Sequence, residues 1–212
     1  IPGSKSLTNR EILLSAIANG KSILHKPLFS RDSQLMIDAI KALGAEVVRT
    51  DQSLEINPAR FDNSASIHCG LAGTVMRFVP LLAILNKGIV RFEADKEALQ
   101  RPLDGVFEAL DQLGVQYSKQ GSSFPFEVEG TGSVDATEVV LDASKSSQFV
   151  SALMLVSAKF EKGLTITHKG ASLPSIPHIE MTIAASGIEV LKWFKNLKHP
   201  GKSCLVRFQP RS

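Results

Sequence analysis

Aromatic residues are scarce in this sequence, making up 6% of its 212 residues with a single Trp and a single Tyr. A formal charge of only +3 accompanies them, and no run of Lys and Arg interleaves with aromatics. A base-stacking, phosphate-tracking surface is therefore not expected, and no nucleic-acid partner. Cysteine is nearly absent: Cys69 and Cys204 stand alone, without a CxxC partner. That excludes a disulfide framework and a cysteine-rich zinc site, and fits a reducing compartment. The longest apolar runs, such as Phe78 to Leu85, fall well short of the ~20 residues of a membrane-spanning helix, so no membrane association is expected. Neither GxxxxGK[ST] nor GxGxxG occurs, which removes support for a nucleotide P-loop or a dinucleotide fold. His25, His68, His168, His178 and His199 have no ligand spacing, and neither metal nor cofactor is expected. The chain opens on a motif without a start methionine, so its natural beginning can lie further upstream. With no targeting segment in view, the cytoplasm is the expected location.

What is present is a repeat. Three stretches share one layout of small polar residues, an apolar helical run, a glycine and a β-branched strand: Lys5 to Lys26, Ala72 to Ala94, and Ser146 to Gly170. Each leads to an amphipathic helix, a second glycine and a further strand. Gly20 to Gly44, Gly88 to Gly114 and Gly163 to Gly187 are 24, 26 and 24 residues apart. The first glycine of each pair is expected to cap the first helix with a positive φ. Hairpins around Asp51-Gln52 and Gly121 close the first two units. The first helix of each unit is almost wholly apolar, which places it inside a domain. The expected fold is therefore α/β: three buried helices packed together, with sheets and second helices around them, as a single domain over residues 1–212.

Buried helices that run parallel bring their amino ends to one face. Each end carries unpaired N–H groups and about half a positive charge, a seat for phosphate or carboxylate. The residues there suit that use: Lys5, Ser6, Thr8 and Arg10; then Gly70, Gly73, Thr74 and Arg77; then Ser144, Lys145, Ser146, Ser147 and Gln148. A lone serine before a helix is ordinarily a cap. Three hydroxyl-rich starts in equivalent positions, each beside a Lys or Arg, favour anion binding.

The segments PGSKSLTNR (2–10), GLAGTVMRFVP (70–80), RPLDGVFEALDQLG (101–114), DASKSSQFVSAL (142–153) and SLPSIPHIEMT (172–182) together resemble the EPSP synthases, the 3-phosphoshikimate 1-carboxyvinyltransferases of the shikimate pathway of aromatic amino-acid biosynthesis. The five blocks stand in the family's order and cover the chain. The resemblance implies one of two domains, each of three βαβαββ units around parallel helices in an inside-out α/β barrel arrangement. It also implies that the family's first strand, before Ile1, and its other domain, after Ser212, are absent. The implied reaction transfers the enolpyruvyl group of phosphoenolpyruvate to shikimate 3-phosphate, releasing phosphate. By resemblance, Lys5, Ser6, Arg10, Ser146, Ser147, Gln148 and Ser175 bind shikimate 3-phosphate. Lys5, Gly73, Arg101 and Gln148 bind phosphoenolpyruvate, and Lys5 is the catalytic candidate. Arg77 reads as a structural or interdomain ion-pair residue, and Asp32, Asp104, Asp142 and Glu180 as surface or helix-start carboxylates. Leu71 stands where many members have Asn, and His178 where Tyr is common. The family's acid–base carboxylates and several of its arginines belong to the other domain, so these residues alone are expected not to turn over substrate. Two alternatives remain: the related UDP-N-acetylglucosamine enolpyruvyl transferases, which use a reactive cysteine loop, and a non-catalytic phosphometabolite-binding module.

Overall fold

The structure is a computed structural model that describes residues 4–170, 172–186, 189–193 and 204–209, the last two ranges as backbone only. His199 and Gly187 lie outside the described residues.

Its elements repeat in threes. The first unit contributes α1 (Lys5–Ala16), β1 (Ser22–His25), α2 (Arg31–Ala42), β2 (Glu46–Arg49) and β3 (Ser53–Asn57). The second has β4 (Ala65–His68), α3 (Gly73–Leu82), β5 (Lys87–Glu93), α4 (Asp104–Gln112), β6 (Gln116–Lys119) and β7 (Phe126–Thr131). The third has β8 (Glu138–Leu141), α5 (Gln148–Ser157), β9 (Leu164–His168), α6 (Ile176–Ser186), β10 (Glu189–Trp193) and β11 (Cys204–Gln209). The strand orders are β1-β3-β2, β4-β5-β7-β6 and β8-β9-β11-β10. In the second and third sheets the first pair is parallel and the other two pairs antiparallel. The first sheet repeats the antiparallel part with three strands among the described residues. A parallel pair needs a helical crossover, and α3 and α5 supply it.

The core lies between the sheets. In α3 every residue from Thr74 to Leu82 is buried, and in α5 every residue from Phe149 to Ser157. Burial of each Leu, Val or Phe there stabilises the fold by about 1.5–3 kcal/mol. The expectation of buried, almost wholly apolar helices holds for these two, whose buried polar residues are Thr74 and Arg77 in α3 and Ser151 and Ser157 in α5, and is corrected for α1. That helix buries Thr8, Asn9, Arg10 and Ser15 beside Ile12, Leu13 and Ala16, and leaves Leu14 half-buried. Each second helix wedges between units. Helix α2 packs on α1, α3 and β4; α4 packs on α3, α5 and β8; α6 packs on α5 and returns to α1.

The glycine caps are also corrected. Gly44 (φ 95°) and Gly114 (φ 71°) end the second helices, in the same motif. Ala45 N–H donates to Ile40 O and Gly44 N–H to Lys41 O, both at 3.0 Å; Val115 and Gly114 repeat this on Leu110 and Asp111. Those are the paired bonds of a Schellman cap. By contrast, α1 ends at Ala16 with Ile17 as its cap, ahead of Gly20, and Gly88 lies within β5. Gly163 (φ 67°) sits in the turn before β9, beyond the end of α5. The loops after the first helices are longer, so those glycines shape loop and strand entry and do not cap the last turn.

Candidate functional site

Three side-chain links tie the amino-terminal turns of α1, α3 and α5 together. Asn9 Nδ2 donates to Thr74 Oγ1 at 2.6 Å, joining α1 to α3. Arg10 NH2 donates to Ser151 Oγ at 3.3 Å, joining α1 to α5. Arg77 NH1 donates to Gln148 Oε1 at 2.8 Å, joining α3 to α5. All six residues lie in the first or second turns of their helices. The three amino ends therefore gather at one end of the fold, and their partial positive charges add there.

The helix starts differ in how their N–H groups are satisfied. Helix α1 is capped by Ser4, whose Oγ accepts from Leu7 N–H at 3.4 Å, and α2 begins with a capping box of Ser30 and Ser33. No side chain caps α3, which starts after Ala72; at α5 Ser147 makes no cap bond, but Ser146 Oγ accepts from Gln148 N–H at 3.2 Å. The ordinary capping role of a serine accounts for Ser4, Ser30 and Ser146; α3 starts without one.

Lys5 opens α1, and its Nζ lies 2.9 Å from Asp32 Oδ2 in the first turn of α2. Ser6 is half-buried, and its carbonyl accepts from Arg10 NH1 at 2.8 Å. Gly73 is the first residue of α3. A Cβ added there would sit 3.1 Å from Arg77 NH1, 3.3 Å from Gln148 Oε1 and 3.5 Å from Arg101 NH1. Two guanidinium groups and an amide thus converge on the one position without a side chain. Arg101 is exposed, and its NH1 donates to Leu71 O at 2.9 Å. Ser147 is buried; half-buried Ser146 accepts from Gln148 N–H at 3.2 Å. Lys5, Gly73, Arg101, Ser146, Ser147 and Gln148 therefore occupy the starts or flanks of helices whose ends meet. Ser175 sits apart in connectivity, exposed with φ 54° at the turn before α6. Among the described residues its side chain makes no hydrogen bond to Ser146 or Ser147.

Arg10 is placed differently from a ligand-facing side chain. It is 1% exposed, with Nε donating to Thr182 Oγ1 at 2.7 Å and NH2 also donating to His178 O at 3.2 Å. Burial lowers its pKa to about 10. It pins α6 to α1 and α5, so Ser151 and Thr182 are site-organising residues that sequence reasoning missed. The available signal was a hydroxyl inside an otherwise apolar helix.

Arg77 is nearly buried as well. Its NH1 also reaches Gly73 O at 3.3 Å and its NH2 donates to Pro102 O at 3.1 Å. Burial and the neighbouring charge of Arg101 lower its pKa to about 10. Neither Arg77 nor Arg101 forms an ion pair among the described residues. Of the carboxylates read as surface groups, Asp32 pairs with Lys5 and Asp104 with Lys145 at 3.2 Å, while Asp142 accepts from Ser144 N–H at 2.8 Å. The end is net cationic.

A model of the EPSP synthase (3-phosphoshikimate 1-carboxyvinyltransferase) family matches residues 1–196. The 3-phosphoshikimate 1-carboxyvinyltransferase of Kocuria rhizophila is 48% identical over 195 residues, covering 86% of this chain and 44% of that protein. That of Tropheryma whipplei is 39% identical over 224 residues, covering 94% of this chain and 49% of the relative. The solved EPSP synthase from Acinetobacter baumannii superposes on 100% of this chain and 47% of its own, with a TM-score of 0.78 at 20% identity, a likeness of fold. This chain spans about half the length of the curated relatives it matches. Because the family match extends from the start of α1 through α6, the chain belongs to the EPSP synthase family.

Proposed function

We propose that this chain is one of the two domains of a 3-phosphoshikimate 1-carboxyvinyltransferase, supplying the shikimate 3-phosphate half-site and part of the phosphoenolpyruvate site. The observation that carries the reading is the junction of three helix starts through Asn9–Thr74, Arg10–Ser151 and Arg77–Gln148, with Lys5, Arg77 and Arg101 around it. Both substrates carry several negative charges. Holding them side by side needs fixed donors and cations that require no reorganisation during reaction. The uncapped amides at α3 and the cations beside the junction are such groups.

In this reading Ser146, Ser147 and Ser175 take the phosphate of shikimate 3-phosphate, and Lys5 and Ser6 contact the same substrate. Gln148 lies between the two ligands, and Arg101 with the backbone at Gly73 takes phosphoenolpyruvate. Arg10 acts here from beneath, by setting the mutual position of α1, α5 and α6. The acceptor hydroxyl adds to the enol carbon that bears the phosphate, and the terminal carbon takes a proton. Phosphate then leaves as that carbon returns a proton, giving the enolpyruvyl ether. Lys5 is the proton donor or stabilising cation. The complementary carboxylates come from the other domain, because the carboxylate beside Lys5, Asp32, is held as its ion-pair partner.

The 212 residues therefore bind but do not turn over. A phosphate-release assay on this chain should show no activity above background; turnover near that of a two-domain enzyme would overturn the proposal. Titration with shikimate 3-phosphate at millimolar concentration should shift the amides of Lys5–Arg10 and Ser146–Gln148, and unshifted amides would remove the half-site. The cytoplasm is the proposed location, and among the described residues no helix is long and apolar enough to cross a membrane.

A further inference from the structure

We propose that Arg77 is a positioning residue that fixes the orientation of the Gln148 amide, holding its oxygen toward the guanidinium and leaving its NH2 group free as a donor to an anion. The inference deepens the reading of this end as an anion site and rests on it.

Arg77 is anchored independently of Gln148. The carbonyls of Gly73 and Pro102 accept from it at 3.3 and 3.1 Å, and its guanidinium carbon lies 5.6 Å from the centre of the Phe149 ring. Phe149 is itself 2% exposed. The guanidinium is thus fixed by backbone and core, and the half-buried Gln148 adapts to it. A guanidinium has donors only. The amide can meet it in one sense, oxygen first, because the flipped amide would set donors against donors. The 2.8 Å contact from Arg77 NH1 to Gln148 Oε1 has that sense. The NH2 group then points away from Arg77, and among the described residues it makes no hydrogen bond. Its two N–H groups are made stronger donors by the cation on the oxygen side. The oxygen is the amide atom beside Gly73, 3.3 Å from where a Cβ there would sit, so the N–H groups are the part of Gln148 that Arg77 and Gly73 leave unused.

The choice of Gln at this position is informative. A glutamate would neutralise a nearly buried cation and give a more stable pair. It would also replace the donor with a second acceptor that repels an anion. Glutamine keeps the donor and leaves the cation without a carboxylate.

Two conservative variants, Q148E and R77K, test this. In ligand-free protein the side-chain NH2 resonances of Gln148 should move in R77K toward those of an exposed glutamine; unmoved resonances overturn the inference. Q148E should raise the melting temperature by about 3 °C while weakening binding of phosphoenolpyruvate and of inorganic phosphate by about tenfold or more. A simple structural pair would move stability and binding in the same direction, and that result overturns the proposal. R77K should weaken binding in the wild-type background and change it less than about twofold in a Q148A background, since Arg77 acts through Gln148. Equal losses in both backgrounds overturn it. Wild-type protein that binds neither probe overturns the anion-site reading and this inference together. Wild-type binding that Q148E matches overturns this inference alone.

Discussion

The ammonium of Lys5 and the carboxylate of Asp32 meet at 2.9 Å between the first turns of α1 and α2. The lysine proposed as catalytic thus carries its own counter-ion within the chain. Lys5 is about half exposed and Asp32 a quarter exposed, so water screens the pair and its contribution to stability is small.

Replacing Asp32 with Asn should accordingly change unfolding free energy by less than about 1 kcal/mol. Its effect on binding is electrostatic. One negative charge removed at roughly 6 Å from a bound anion, in near-aqueous surroundings, is worth about 0.7 kcal/mol, or about threefold tighter binding. Titration of inorganic phosphate into D32N and wild type at low salt measures this. Weaker binding in D32N would show that Asp32 holds the ammonium in place more than it competes for it.

Gly105, in the first turn of α4, faces the ring of Phe149. A Cβ added there would lie 2.6 Å from Phe149 Cδ2 and 2.7 Å from Cγ. Ala at a helical position gains up to about 1 kcal/mol over Gly, but overpacking a closed core costs about 1–3 kcal/mol. The clash is with a buried ring, so it should dominate, and G105A should unfold about 1–2 kcal/mol more easily by urea titration. An unchanged midpoint would show that the Phe149 ring has room to move.

The parts of this fold that were legible in sequence are those set by local chemistry. Gly44 and Gly114 could be read as caps because each directly follows an amphipathic run, where the chain turns through a left-handed residue. Gly20 and Gly88 misled, because glycine in a loop or at a strand entry looks the same in sequence. The site splits in the same way. Lys5, Gly73 and Ser146 to Gln148 could be read as candidates from their positions at helix starts, whereas Arg101 came only from the family resemblance. The partners of Arg10 and Arg77 were not, since Thr182 lies 172 residues from Arg10 and Gln148 lies 71 from Arg77. Packing decides such pairings, and the sequence marks them only by polar residues such as Asn9, Ser151 and Thr182 within apolar surroundings. Taking α1 as apolar all round hid the same fact.

Cys69 ends the strand-to-helix approach to α3 and is fully buried, which pushes its thiol well above the ordinary range. The thiolate is the reactive form, so Cys69 should resist iodoacetamide in native buffer and react only on unfolding. Peptide-resolved mass spectrometry separates it from Cys204. Rapid native labelling of Cys69 would revive the alternative of a transferase with a reactive cysteine; resistance fits a packing role.

Asp95 joins the first two units at the surface, with Oδ2 accepting from Arg31 NH2 at 2.7 Å and Oδ1 lying 3.0 Å from His68 Nε2. Arg31 first, and His68 after it, hold the Asp95 carboxyl below its ordinary value of 3.8. A carboxyl whose pKa falls on folding adds stability above the unfolded pKa and loses it as the pH drops through the folded one. The contribution is therefore present in full at neutral pH and fades below about pH 4. Asn keeps the shape but has no proton to take up in that range. Urea midpoints followed from about pH 5 down to about pH 3 should fall less steeply in D95N than in wild type. Parallel curves would mean that Arg31 and His68 hold Asp95 no more tightly in the folded chain than water does in the unfolded one.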